Sequence, residues 1–229
     1  MPKHVGIVAC SAEGASLCYR TICQEGAALL GPHAHPEISM HTPSLANYVA
    51  RLDAGDLEGI AELMLDSAGK LAAAGADFLI CPDNTIHQAF GMVEPASPLP
   101  WLHIADAVCA EAEVHGFKRL GILGTAWLVQ SEVYPNALAA RGIELIRPTD
   151  AERNEVDRII MDELVPGIFK PEAVRYHLDV IRRMGSEGAD AVILGCTEIP
   201  LIVGPENAPL PVLDSTRLLA RAALHHALS

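Results

Sequence analysis

GADFLICPDNTIH, residues 75–87, runs from a glycine through an apolar stretch into a proline, a carboxylate and two short polar side chains. Residues 188–199 say nearly the same thing again as GADAVILGCTEI. In each copy a short apolar run is bounded by Gly-Ala-Asp on one side and polar turn residues on the other, which reads as a buried strand. Strands without polar alternation belong to parallel sheets covered on both faces. Aligned on Gly-Ala-Asp, the copies place Asp83 where Cys196 stands.

Working outward, further strands are predicted at 5–9 and 119–123, with weaker ones at 37–40, 102–104, 143–146 and 211–213. Helical patterns fill 56–74 and 152–164. Strand–helix alternation of this kind predicts an α/β protein with a mainly parallel sheet. The repeat extends beyond the two quoted stretches: HVGIVA parallels RLGILG, matching Gly6 with Gly121, Ile7 with Ile122, Ser16 with Ser131 and Tyr19 with Tyr134. Ordered matches of this kind indicate duplication. The expected architecture is two similar parallel-sheet halves related by pseudo-twofold symmetry, with the site in the cleft between them. Two proline-rich stretches, EPASPLP (94–100) and GPENAPLP (204–211), are the expected crossings. They divide the chain into a first half of 1–98 plus 210–229 and a second half of 99–209.

Composition narrows the partners. Half of the 229 residues are hydrophobic and the formal net charge is −13. Nucleic acid, whose phosphates need Lys and Arg, is therefore not an expected partner. A small anionic substrate stays open, because helix ends and hydroxyls act locally. Apolar runs stay below the roughly 18 residues of a membrane span. The six cysteines form no C-x-x-C and no signal-peptide pattern opens the chain. The expectation is a cytoplasmic protein with reduced thiols. His33, His35 and His41 supply no ligand set of characteristic spacing, so no metal is expected. No nucleotide-binding glycine motif occurs, and no other cofactor is expected.

In an open parallel sheet, ligands bind beyond the carboxyl ends of the strands. Asp83 and Cys196 both stand there, and side chains approaching one carbon from opposite sides suit moving a proton from one face to the other. Cys196, after a strand and before a helical turn, is the expected acid–base group. Asp83 has two readings that stay open: proton transfer, or capping of the following helix. Cys81 lies deeper in its strand and is expected to be a core thiol. Asn84, Thr85 and Thr197 offer donors for a carboxylate or an enolate-like charge. Ser11 and Thr125, in the loops after the two copies of the first strand, join them as substrate-binding candidates. Glu198 is a candidate to assist Cys196 or to hold an ammonium group. Arg51 and Lys170 are the cations considered for a distal carboxylate, each read as an ordinary surface charge. His87 is read as bonding the end of its own loop.

P-D-N-T-x-H at 82–87 and L-G-C-T-E-I-P at 194–200 resemble the two signature motifs of the aspartate/glutamate racemase superfamily. L-H-I-A-D-A at 102–107, L-G-T at 123–125 with Tyr134 beyond it, and L-D-S-T-R-L-L-A at 213–220 add to the resemblance, which covers nearly the whole chain. It implies two similar α/β halves with the site between them, often as a homodimer. It also implies racemisation without pyridoxal phosphate or metal, by two opposed cysteines. The first of those cysteines falls on Asp83, because Asn84-Thr85 fixes the register. The leading expectation is a cofactor-independent racemase or epimerase of a small acidic amino acid, aspartate or glutamate. A one-cysteine decarboxylase, a diacid isomerase and a non-catalytic ligand-binding relative are the alternatives.

Overall fold

A computed structural model describes residues 2–229 of the chain. Val5–Val8 (β1), VGIV, is buried at every position. It lies between Ile38–His41 (β2) and Phe78–Ile80 (β3), and Trp101–Leu102 (β4) pairs outside β3. All pairings are parallel, in the order β2-β1-β3-β4. The intervening helices are Ala12–Leu30 (α1), Leu45–Asp53 (α2), Leu57–Ala73 (α3), the short Phe90–Val93 (α4) and Ile104–His115 (α5).

The second sheet repeats this plan. Arg119–Leu123 (β5) lies between Glu144–Ile146 (β6) and Ala191–Leu194 (β7), with Val212–Asp214 (β8) outside β7. Its order, β6-β5-β7-β8, is again all parallel. Its helices are Ala126–Gln130 (α6), Val133–Ala139 (α7), Asp150–Ile159 (α8) and Pro171–Ser186 (α9), and Ser215–Leu228 (α10) ends the chain. The predicted α/β class and its internal duplication both appear as two four-stranded sheets of identical strand order.

The repeated Gly-Ala-Asp is structural in both copies. Gly75 and Gly188 take φ of 91° and 94°, left-handed values that glycine adopts without steric cost, and each turns the chain out of a helix. The aspartate two residues on then clamps the neighbouring strand. Asp77 Oδ2 accepts from the backbone N–H of His4 at 2.7 Å. Asp190 Oδ2 accepts from those of Lys118 and Arg119 at 2.7 and 2.9 Å. Each aspartate thus pairs with backbone N–H groups at the start of a central strand, where the sheet ladder supplies no acceptor for them.

Alternation along the first sheet sorts its core. Val5, Ile7, Phe78 and Ile80 face α1 and α10, packing with Cys18, Ile22 and Leu219. Val8, Leu79 and Cys81 face the other way, onto Tyr48 of α2 and Ile60 and Met64 of α3. In the second sheet Leu123, Val192 and Leu194 pack on Val156, Ile159, Ile181 and Met184 of α8 and α9.

The compact units differ from the predicted halves. The first runs to Ala107 and takes back the chain from Thr216 to Ser229; the second is Val108–Ser215. The proline-rich stretches do not cross between units: each delivers the last strand of its own sheet. The Pro100 carbonyl accepts from Leu79 N–H, and the Pro211 carbonyl from Val192 N–H, at 2.8 and 2.9 Å. Proline lacks a donor but keeps its acceptor, so it can open an edge strand. The divisions fall later, at α5 and the start of α10.

Two other expectations need correction. The matches of Ser16 with Ser131 and of Tyr19 with Tyr134 do not share an environment. Tyr19 is 43% exposed on the unbroken α1, whereas Tyr134 is 1% exposed, because the second unit breaks that helix into α6 and α7 at Ser131. The helix expected at 152–164 begins earlier, at Asp150. Thr149 and Glu152 form a reciprocal capping box, and the helix ends in a π-turn over Ile160–Leu164.

Candidate active site

Each unit gathers its predicted residues at the carboxyl edge of its own sheet. In the first, Ser11 follows β1 and caps α1, its Oγ accepting from Gly14 N–H at 3.2 Å. Thr125 does the same after β5, its Oγ1 accepting from Leu128 N–H at 3.3 Å at the start of α6. The two short hydroxyl residues are structural counterparts. Asp157 of α8, which was not predicted, braces the Thr125 loop by accepting from Ala126 N–H at 2.7 Å. Nothing in its local sequence marked it, since the contact joins residues 31 apart.

Beyond β3, Pro82 leads into Asp83, Asn84 and a 3-10 turn at Thr85–Ala89. Asn84 and Thr85 are buried, at 2% and 8% exposure. Asp83 Oδ1 accepts from Ile86 N–H at 3.2 Å, so the capping contact anticipated as one of its two readings is present. The Asp83 carbonyl accepts from His87 Nδ1 at 2.6 Å, as expected for a histidine that bonds its own loop. Cys81 is fully buried, with Sγ 3.9 Å from that same carbonyl; burial pushes its thiol well above the ordinary cysteine value. It is the core thiol expected from its depth in the strand.

Behind Asp83 stands a ring cluster of which the sequence signalled only one member. His87 stacks on Phe90 at 5.6 Å and meets His103 edge-on at 4.6 Å; Phe90 in turn meets Trp101 at 5.9 Å. Burial, reinforced by the His103 ring, holds His87 well below the usual histidine range. His103 is lowered by burial too, offset in part by Asp106 and Glu94.

Beyond β7 the chain turns through Gly195 into Cys196, Thr197 and Glu198, which are 8%, 4% and 4% exposed. The Cys196 thiol donates to Glu198 Oε2 at 2.9 Å, and Thr197 Oγ1 donates to the same oxygen at 2.7 Å. Two donors thus converge on one buried carboxyl oxygen, which puts Glu198 in direct contact with Cys196. A carboxyl within hydrogen-bond reach of a thiol is the geometry by which a base takes the thiol proton. Tyr134 is buried against Ser215 and Asp214 at the end of β8, and burial raises its phenol.

The two cations considered for a distal carboxylate are already engaged. Arg51 pairs with Asp56, and Lys170 with Glu163 at 3.3 Å. Among the described residues no cluster of three or more His, Cys, Asp or Glu side chains is placed to hold a metal ion, and no helix is long and apolar enough to cross a membrane. No disulfide joins cysteines among the described residues.

Two four-stranded parallel α/β sheets, each ending in a short polar loop, make up the two-domain fold of the Asp/Glu racemases. The chain belongs to the Asp/Glu/Hydantoin racemase family, which matches residues 7–223, and isomerase is the activity class that goes with it. The crystal structure of a candidate Asp/Glu racemase from Yersinia pestis superposes with a TM-score of 0.91 at 34% identity, covering 99% of this chain and all (100%) of that one. An aspartate racemase homologue from Pyrococcus horikoshii OT3 gives 0.85 at 27% identity over 99% and 100% of the two chains. The broad specificity amino-acid racemase RacX of Bacillus subtilis strain 168 is 26% identical over 172 residues, 74% of this chain and 73% of that protein.

Proposed function

We propose that the protein is a cofactor-independent racemase or epimerase of a small acidic amino acid, aspartate or glutamate, working through Cys196. The observation that carries this reading is the Cys196–Glu198 contact at 2.9 Å, with Thr197 on the same carboxyl oxygen. Glu198 takes the thiol proton, and the resulting thiolate removes the α-proton from one face of the substrate carbon. The charge left behind spreads into the substrate carboxylate, where backbone donors and the hydroxyls of Thr125 and Ser11 are suited to hold it. Asp83, as the acid, supplies a proton to the opposite face, with Asn84 and Thr85 as its binding neighbours. To reset, Glu198 releases its proton to solvent and Asp83 takes one up, and the reverse reaction runs the same steps backward.

The test is proton NMR of L- and D-aspartate and L- and D-glutamate in D₂O, with the native protein and Cys196→Ala. Loss of the α-proton signal together with appearance of the opposite enantiomer, both abolished in the variant, is the expected result. Absence of exchange on all four substrates would refute the acidic-amino-acid reading.

A further inference from the structure

We propose that His87 is a positioning residue for Asp83, holding the aspartate in the orientation from which it serves the second face of the substrate carbon. The inference rests on the racemase reading above, in which Asp83 exchanges a proton with substrate.

Asp83 belongs to neither β3 nor the 3-10 turn, so no secondary-structure ladder fixes its backbone. Other contacts hold it instead: the Cys81 thiol lies 3.9 Å from its carbonyl, and two shorter tethers act beside it. Its carboxyl oxygen Oδ1 is drawn forward onto Ile86 N–H at 3.2 Å, and its carbonyl is held by His87 Nδ1 at 2.6 Å. The His87 backbone N–H also returns to the Asn84 carbonyl, at 3.3 Å. Rotating Asp83 to a new aim breaks the ring contact, the side-chain contact, or both.

The ring itself is fixed. A carbonyl only accepts, so Nδ1 carries the hydrogen and Nε2 is left with a lone pair. That Nε2 is buried without a hydrogen-bond partner, on a residue 3% exposed. Phe90 and His103, which also meet each other at 4.6 Å, both pack against the imidazole and limit its movement. An orphaned buried nitrogen costs free energy that an apolar side chain of similar size would avoid. The histidine is accounted for by what its other nitrogen does.

The duplication supplies an internal comparison. Counting from Asp83 and Cys196, the counterpart of His87 in the second copy is Pro200, which has no donor. On the thiol side the supporting contact comes from Glu198 directly onto Cys196. The His87 tether therefore occurs only in the copy where a carboxylate replaces the thiol, and it acts on the backbone of that carboxylate.

The test uses the full chain with His87→Ala and His87→Asn, following α-proton exchange and inversion separately in D₂O, with kcat, KM and thermal unfolding for each. Asparagine places an amide donor near the Nδ1 position and serves as the conservative rescue. His87→Ala is expected to lower inversion by about 100-fold, the scale of a displaced reacting group. KM stays unchanged, as does Cys196-dependent exchange of the enantiomer it deprotonates. His87→Asn is expected to recover most of the inversion. Exchange and inversion falling by the same factor in His87→Ala, or neither falling, would overturn the positioning role and leave His87 a packing residue. A native protein that exchanges no α-proton would instead overturn the racemase reading, and the role of His87 with it.

Discussion

Replacing Glu198 separates a catalytic carboxyl from a structural one. In Glu198→Gln the amide oxygen can occupy the Oε2 position and still accept from Cys196 Sγ and Thr197 Oγ1, now 2.9 and 2.7 Å away. Hydrogen bonds to a charged acceptor are worth about 2 kcal/mol and neutral ones about 1 kcal/mol, so two weakened bonds cost roughly 2 kcal/mol. Against that, a side chain at 4% exposure no longer has to keep a charge away from water, which returns a similar amount. The folded state of Glu198→Gln is thus expected within about 1 kcal/mol of native. Glu198→Ala is different: it strands two buried donors at roughly 1–3 kcal/mol each and should lose about 2–6 kcal/mol.

Activity should follow the other order. Glutamine cannot take a proton from the thiol, so both variants forfeit general-base assistance, typically ~10²–10⁴-fold. Urea unfolding gives the stabilities, and α-proton exchange in D₂O gives the activities. A stable and nearly inactive Glu198→Gln supports the proton-acceptor role. A Glu198→Gln that keeps exchange within about tenfold of native, beside an unstable Glu198→Ala, would show that the carboxyl only braces its loop.

Three further outcomes are expected. Asp83→Asn keeps an oxygen to accept from Ile86 N–H but cannot deliver a proton, so it should retain stability to within ~0.5 kcal/mol and exchange substrate without inverting it. Inversion at native rate would show Asp83 to be a cap alone. Because burial lowers His87 and His103 in the folded state, the unfolded chain binds more protons below the free histidine value of about 6.5. Their contribution is intact above that pH and is lost as pH falls, by up to about 1.4 kcal/mol per pH unit for each ring. Urea midpoints between pH 7.5 and 5.5 measure it, and His87→Asn should flatten the slope. Finally, a Cβ at Gly6 would sit 2.6 Å from Leu79 Cδ2 and 3.0 Å from Ala76 Cβ, whereas at Gly121 its close neighbour is the pliable Met184 Sδ at 2.6 Å. Gly6→Ala should cost ~1–3 kcal/mol and Gly121→Ala under about 1 kcal/mol; equal losses would refute the distinction.

The strands were legible because the chain writes them plainly: buried runs such as VGIV and AVIL carry no alternation and sit between turn residues. Their ends were less so. β4 stops at Leu102, short of the predicted 104, because His103 Nδ1 accepts from Ala105 N–H at 3.1 Å and starts α5. Histidine is not among the usual capping residues, so the sequence offered no stop signal there. The unit boundaries were misplaced for a related reason. Proline was read as a break, yet Pro100 and Pro211 supply the carbonyls from which the last strands grow. The short candidate loops were legible one residue at a time, since Ser11, Asp83, Thr125, Cys196 and Thr197 all lie within three residues of a strand end. Asp157 and the His103–Trp101 side of the ring cluster were not, because they reach their targets through tertiary packing.

The two copies therefore use one scaffold for two kinds of support. Gly-Ala-Asp does the same work in both, turning the chain and clamping the central strand through Asp77 and Asp190. Past the strand the copies part. In the proposed mechanism the Cys196 thiol gives its proton to an acceptor beside it, and Glu198 stands two residues on, hydrogen-bonded to the sulfur. A carboxyl needs no such acceptor but does need to be aimed, and the aspartate side is tied through its backbone by His87 and through its side chain by Ile86 N–H. Exchanging the two chemistries should then require more than Asp83→Cys. A thiol at 83 would lack a neighbouring base, because Thr85 stands where the second copy has Glu198. Asp83→Cys alone is expected to stay below native inversion, and Asp83→Cys with Thr85→Glu to exceed the single variant by at least tenfold. Equal inversion rates for the single and double variants would show that the carboxyl beside the thiol contributes nothing.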